Sequence, residues 1–180
     1  MNTAELRERI RELLKEKPLL LVAIDGFGGS GKSTLAAALQ NSFEGSQVVH
    51  MDDFAQSRNG DTDRQRLLQQ VLEPLRAGKS ARYQKFDWQN ERLGDWVELK
   101  AGGPVFVEGT SLLADDLYPY YDFNVWIDVP HEEASKRGMD RDKNVYKVDH
   151  DEKWRTIWIP GEKEYAKLEP WKRADFLFKN

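Results

Sequence analysis

The chain has no cysteine, which excludes disulfides, thiol nucleophiles and cysteine-ligated metals. It has only three histidines, His50, His131 and His150, too few for a multi-histidine metal site. Its longest apolar run, Leu19 to Ile24, is far short of the roughly 20 residues that cross a bilayer. The N-terminal segment carries Glu5, Arg7, Glu8, Arg9, Arg11 and Glu12, and offers no apolar core of the kind a signal peptide needs. An excess of positive charge is missing too: 27 Lys and Arg stand against 31 Asp and Glu, a net charge of −4. General nucleic-acid binding needs a basic footprint, so this balance speaks against it. These absences predict a cytoplasmic protein without a membrane span and without a nucleic-acid partner.

What is present is the composition of an ordinary globule, 39% apolar and 32% charged. The 180 residues correspond to one domain, long enough to bury about 70% of the unfolded surface. No repeat, low-complexity tract or linker divides residues 1–180. Leu6, Ile10, Leu13 and Leu14 fall at helical spacing over 3–16, with Thr3 as the expected N-cap and Pro18 as the stop. Leu19–Ile24 has the continuous apolar character of a strand buried on both faces. A helix is predicted from Lys32 to near Gly45, a strand over 47–51 and a helix over 64–75. Residues 78–104 are mixed and compatible with a hairpin. Further strands are predicted at 105–107, 123–129 and 174–178, and a helix over 131–140. The charge-rich stretch 141–150 reads as mobile and solvated, and 151–159 and 161–168 as two helical pieces around Pro160. Strands alternating with helices imply an α/β fold, a parallel sheet covered on both faces.

Residues 26–33, Gly-Phe-Gly-Gly-Ser-Gly-Lys-Ser, fit the phosphate-binding pattern G-x-x-x-x-G-K-[ST]. Gly26, Phe27, Gly28, Gly29, Ser30 and Gly31 would turn successive backbone N–H groups toward phosphate oxygens, and glycine tolerates the positive φ angles this requires. The helix that follows, opening on Lys32, Ser33 and Thr34, adds its free N–H groups and dipole. Lys32 can reach the β- and γ-phosphates, and Ser33 can ligate Mg²⁺. The expected ligands are therefore ATP, or GTP, with Mg²⁺. A guanine-reading N-K-x-D is not met by Asn144-Val145-Tyr146-Lys147, which argues against a GTPase.

Two acidic groups stand at predicted strand ends, Asp52-Asp53 after the second strand and Glu108 after the third. In open α/β sheets the carboxyl ends of strands line the ligand crevice. A carboxylate there can take a proton from an attacking hydroxyl or hold Mg²⁺. An N-cap or turn role is the alternative for Asp52 and Asp53, and a strand-end surface acid the alternative for Glu108.

The ordered set IDGFGGSGKSTLA, VVHMDDF, VFVEGTSLL and WIDVP, followed by Arg137, Arg141 and Asp142 as Arg-x-x-x-Arg-Asp, resembles the uridine kinase group of P-loop kinases, related to phosphoribulokinase and pantothenate kinase. The resemblance spans residues 19 to about 142, with a weaker tail to Asp175. It implies a P-loop NTPase fold with a five-stranded parallel sheet in the order 2-3-1-4-5 and a short lid at about 137–150. It further implies that Asp52 activates the substrate hydroxyl, that Glu108 lies near Mg²⁺, and that Arg137 and Arg141 close over the phosphates. Asp87 matches an acid that binds sugar hydroxyls. The sequence departs from the group at Ala55, where tyrosine is frequent, at Trp88-Gln89 in place of His-Pro, and at Lys143-Asn144-Val145 in place of Glu-Arg-Gly. These departures fall in the acceptor pocket and the lid.

Tyr83 and Trp88 are candidates to stack an acceptor base or sugar, with core packing as the alternative. The expected function is transfer of the γ-phosphate of ATP to an alcohol, a nucleoside such as uridine or cytidine in first place. A pantothenate-like or sugar-phosphate acceptor and a regulatory ATPase are the alternatives. The expected partner is this small-molecule alcohol, and a homo-oligomer is left open.

Overall fold

In a computed structural model, residues 2–57 and 62–180 are described. Helix α1 (Thr3–Glu16) buries Leu6 and Ile10 and packs on strands β1 (Leu19–Asp25) and β7 (Phe176–Lys179). Its N-cap is Asn2, not Thr3. The Asn2 side chain accepts from the N–H groups of Ala4 and Glu5, and Glu5 accepts from Asn2 N–H, a reciprocal box that Thr3 is one residue too late to form. Helix α2 (Lys32–Gln40) packs on β1, β2 (Gln47–His50) and β5 (Gly103–Glu108). It ends well before Gly45, and short turns fill the interval.

Strands β1, β2, β5, β6 (Phe123–Asp128) and β7 form one parallel sheet in the order β2-β5-β1-β6-β7. With the separate antiparallel hairpin β3 (Ala81–Asp87) and β4 (Arg92–Leu99) set aside, this is the expected order 2-3-1-4-5. β1 is buried from Leu20 to Asp25 and β5 from Pro104 to Glu108, as central strands covered on both faces must be.

Two helices run continuously through a proline. Helix α3 (64–76) passes from Arg64–Leu67 through a π-helical turn, Leu68–Leu72, into Glu73–Arg76, which holds Pro74. Helix α5 (151–166) passes from Asp151–Lys153 through a π-helical turn, Trp154–Trp158, into Ile159–Ala166, which holds Pro160. The two separate pieces expected around Pro160 are therefore one helix. A proline lacks an N–H and its ring crowds the carbonyl four residues back. A π turn just before it shifts the hydrogen-bond register and absorbs that conflict.

Helix α4 (His131–Arg141) runs into a third π turn, Asp142–Tyr146, and the chain reverses at Lys147 with φ 57°. Residues 143–149 are exposed, but the segment is tied at its root. Buried Asp142 accepts from Trp154 Nε1 at 2.9 Å and from Arg141 at 2.9 Å, and faces His150 Nδ1 at 3.3 Å. A second tie, Asp122, takes hydrogen bonds from Lys17 at 2.7 Å, Arg76 at 2.7 Å and the Leu21 N–H at 2.9 Å, joining α1, α3 and β1.

Candidate active site

Ile24 of β1, Glu108 of β5 and His50 of β2 are register partners on adjacent strands. The loop 26–31, Glu108 and the 3-10 turn Met51–Phe54 therefore leave the sheet side by side at its carboxyl edge. Asp25, fully buried at the end of β1, sets the root of the loop. It accepts from Gly26 N–H at 2.7 Å, Leu113 N–H at 2.9 Å, Ser111 N–H at 3.1 Å and Tyr165 O–H at 2.6 Å. Burial raises its carboxyl above the usual range despite these donors.

Gly29 and Gly31 hold φ of 79° and 99°, the left-handed region. A Cβ on Gly29 would also run into the backbone of Ala134 and Gly138 in α4, so this position needs glycine twice over. Buried Lys32 donates from Nζ to the carbonyls of Gly26 and Phe27, both at 2.9 Å. Ser30 is buried, and Thr34 is exposed on the first turn of α2. The Phe27 ring packs edge-on to Trp126 and His131, so Phe27 offers the site only its backbone.

Ser33 Oγ donates to Glu108 Oε1 at 3.1 Å, and His50 Nδ1 lies 2.6 Å from the same oxygen. That contact with Glu108 raises the His50 pKa, burial opposing it. Two oxygen side chains meeting beside the loop suit Mg²⁺, which takes one or two protein oxygens and completes its shell with water and phosphate.

Asp52 is reachable by solvent but ringed by protein. Desolvation raises its carboxyl above the usual 3.8 and the charge of Glu108 adds to this, while Lys32, His50 and Arg141 act against it. Asp52 and Arg141 line one cleft of about 1110 Å³, together with Trp88, Thr110, Trp154 and Glu162. Thr110 and Glu162 bond directly to the loop, through Gly26 O at 3.3 Å and Gly28 N–H at 2.5 Å.

Other expected residues lie elsewhere. Arg137 pairs with Glu133 at 2.6 Å on the outer side of α4 and does not line the cleft. Tyr83 is 1% exposed, stacked on Phe54, with its O–H on Asp53 at 2.9 Å; it is a core residue rather than a wall of the cleft. Asp87 accepts from the N–H groups of Gln89 and Asn90 and from the Asn90 amide. Those bonds hold its carboxyl below the usual 3.8 and make it the turn acid of the β3–β4 hairpin. Only its neighbour Trp88 reaches the cleft. Sequence reasoning passed over Asp25, His131, Glu162 and Tyr165. Asp25 carried a signal, a carboxylate directly before the glycine-rich loop at the end of an apolar strand. The others carried none, because their partners are distant in sequence.

Fold and loop define a P-loop NTPase. The NB-ARC domain family matches residues 2–100, just over half of the chain, and the chain belongs to that P-loop NTPase family. Its architecture is that of the uridine kinase-like P-loop kinases. A possible uridine kinase from Bacillus stearothermophilus is 26% identical with a TM-score of 0.69, over 97% of this chain and 99% of that one. A candidate fructose transport system kinase from Silicibacter sp. TM1040 is 24% identical with a TM-score of 0.62, over 98% of each chain. A candidate P-loop kinase with a circular permutation, from Saccharomyces cerevisiae, has the same fold at 13% identity and a TM-score of 0.63, over 100% and 99% of the two chains. No curated protein matches the sequence. Among the described residues no helix is long and apolar enough to cross a membrane.

Proposed function

We propose that the chain is an ATP-dependent small-molecule kinase that phosphorylates an alcohol, a nucleoside such as uridine or cytidine in first place. The observation that carries this reading is one cleft lined by Asp52 and Arg141, two of whose wall residues, Thr110 and Glu162, bond to the loop 26–31. Backbone N–H groups of the loop and the Lys32 ammonium suit a triphosphate. Ser33 and Glu108 would hold Mg²⁺, which when bound screens phosphate charge. Asp52 takes the proton of the acceptor hydroxyl as its oxygen bonds to the γ-phosphorus and ADP departs. The raised pKa of Asp52 suits a base. Arg141 offsets the negative charge of the transferring group, and Trp88 and Tyr146 give flat faces for a base. Catalysis of this kind is mostly positioning.

Arg64 and Lys153 also line the cleft, which favours as second reading an alcohol that carries an anionic group. The test is ADP release from Mg·ATP with a panel of nucleosides, sugar phosphates and pantothenate-like acids, with Lys32→Ala as the blank. Strong stimulation by one nucleoside is expected. Stimulation by anionic alcohols alone selects the second reading. Lys32-dependent ATP binding with no stimulation by any acceptor overturns the kinase and favours a regulatory ATPase.

A further inference from the structure

The loop that should cradle phosphate already holds an anion belonging to the chain. Glu162, on the last turns of α5, accepts the Gly28 N–H at 2.5 Å with Oε1, and its Oε2 lies 3.0 Å from His131 Nε2. Its side chain is 8% exposed, and the loop leaves no slack around it. A Cβ on Gly28 would stand 2.7 Å from the Trp154 ring and 3.0 Å from Glu162 Oε1. Glu162 meets the Gly28 N–H, and the Trp154 ring packs over its Cα.

A carboxylate and a phosphate oxygen ask the same thing of a backbone N–H, and one N–H serves one strong acceptor well. Two like charges in a place largely closed to water also repel. We infer that Glu162 is an internal occupant of the phosphate cradle, which the nucleotide must displace, so that nucleotide entry and movement of α5 are one event. The inference rests on the reading of residues 26–33 as the nucleotide site. Its consequence reaches the acceptor, because α5 also supplies Trp154, Trp158 and Gly161 to the wall of the large cleft. Nucleotide entry would thereby reset the wall of that cleft.

Two measurements on the full chain test this. The first is ATP affinity, by calorimetry, for the wild type, Glu162→Gln and Lys32→Ala. Glutamine keeps an acceptor oxygen for Gly28 but removes the charge, so Glu162→Gln should bind ATP about tenfold more tightly or better. The second needs no variant. Amide exchange over 154–166 in the wild type should become faster when ATP is added, against the protection that ligands usually confer. Equal or weaker ATP binding by Glu162→Gln, or slowed exchange over 154–166 in a chain that binds ATP, overturns the displacement and leaves the nucleotide site standing. Absence of Lys32-dependent ATP binding in both the wild type and Glu162→Gln overturns the nucleotide site itself, and the displacement with it. If Glu162→Gln does not fold, the exchange experiment decides alone.

Discussion

Replacing Asp52 by asparagine keeps the shape of the side chain and removes its ability to take a proton. Asp52→Asn should lower turnover by about 10²- to 10⁴-fold and leave ATP affinity nearly intact, as steady-state kinetics and calorimetry would read. Desolvation holds the Asp52 carboxyl above the usual 3.8. A base works only when deprotonated, so the wild-type rate should fall as pH drops through that raised value, a limb that begins above pH 3.8. The limb should be missing from the residual rate of Asp52→Asn; its survival there would assign it to another group. At this scale the glycine-rich loop was legible because its geometry is local: positive φ and small side chains leave their mark in eight consecutive residues. Tyr83 and Asp87 are less legible for the opposite reason. Their residue types suited an acceptor pocket, but burial against Phe54 and a hairpin turn claim them, and neither is written in the residue itself.

Between helices, Gly138 of α4 packs closely against Trp154 of α5. A Cβ there would stand 2.5 Å from two atoms of the indole ring. Gly138→Ala should destabilise the fold by about 1–3 kcal/mol, seen as a lower denaturant midpoint, because the indole cannot retreat from Asp142 without losing its hydrogen bond. The Asp122 tie makes a second prediction. Burial alone would raise its carboxyl, but the bonds from Lys17, Leu21 and Arg76 hold it below the usual 3.8. A depressed pKa contributes stability that is present above the unfolded value and lost as pH falls through the folded one. Asp122→Ala should therefore cost about 2 kcal/mol at neutral pH and nearly nothing in strong acid, measured by denaturant titration at both. The strands and most helices were legible from apolar period, since a buried strand must be apolar throughout. The path through Pro160 was not, because proline usually ends a helix, and only the π turn before it lets this one continue.

At the scale of the molecule, the strand order came from resemblance rather than from periodicity, which fixes how a strand is buried but not its neighbours. One sheet carries the loop, Glu108 and the Asp52 turn, while α5 clasps them through Tyr165 and Glu162. Unfolding should accordingly be one cooperative transition by both fluorescence and circular dichroism. Mg·ATP at about a hundred times its Kd should stabilise the fold by about 2.7 kcal/mol, read as a raised midpoint. Two separate transitions would mean that residues 142–150 and α5 fold apart from the sheet.

The π turn at Trp154–Trp158 has a consequence for the phase of α5. In a regular α-helix residues four apart drift by about 40° at each step, so Trp154, Trp158 and Glu162 would fan out. A wider turn at the first step winds part of that drift back and keeps the three near one line. Chain length here therefore acts like the tooth count of a gear. Deleting a single residue between 154 and 158 would let the wide turn close as a regular α turn and keep Glu162 toward Gly28, whereas deleting one between 159 and 161 would carry Glu162 about 100° around the helix and away from it.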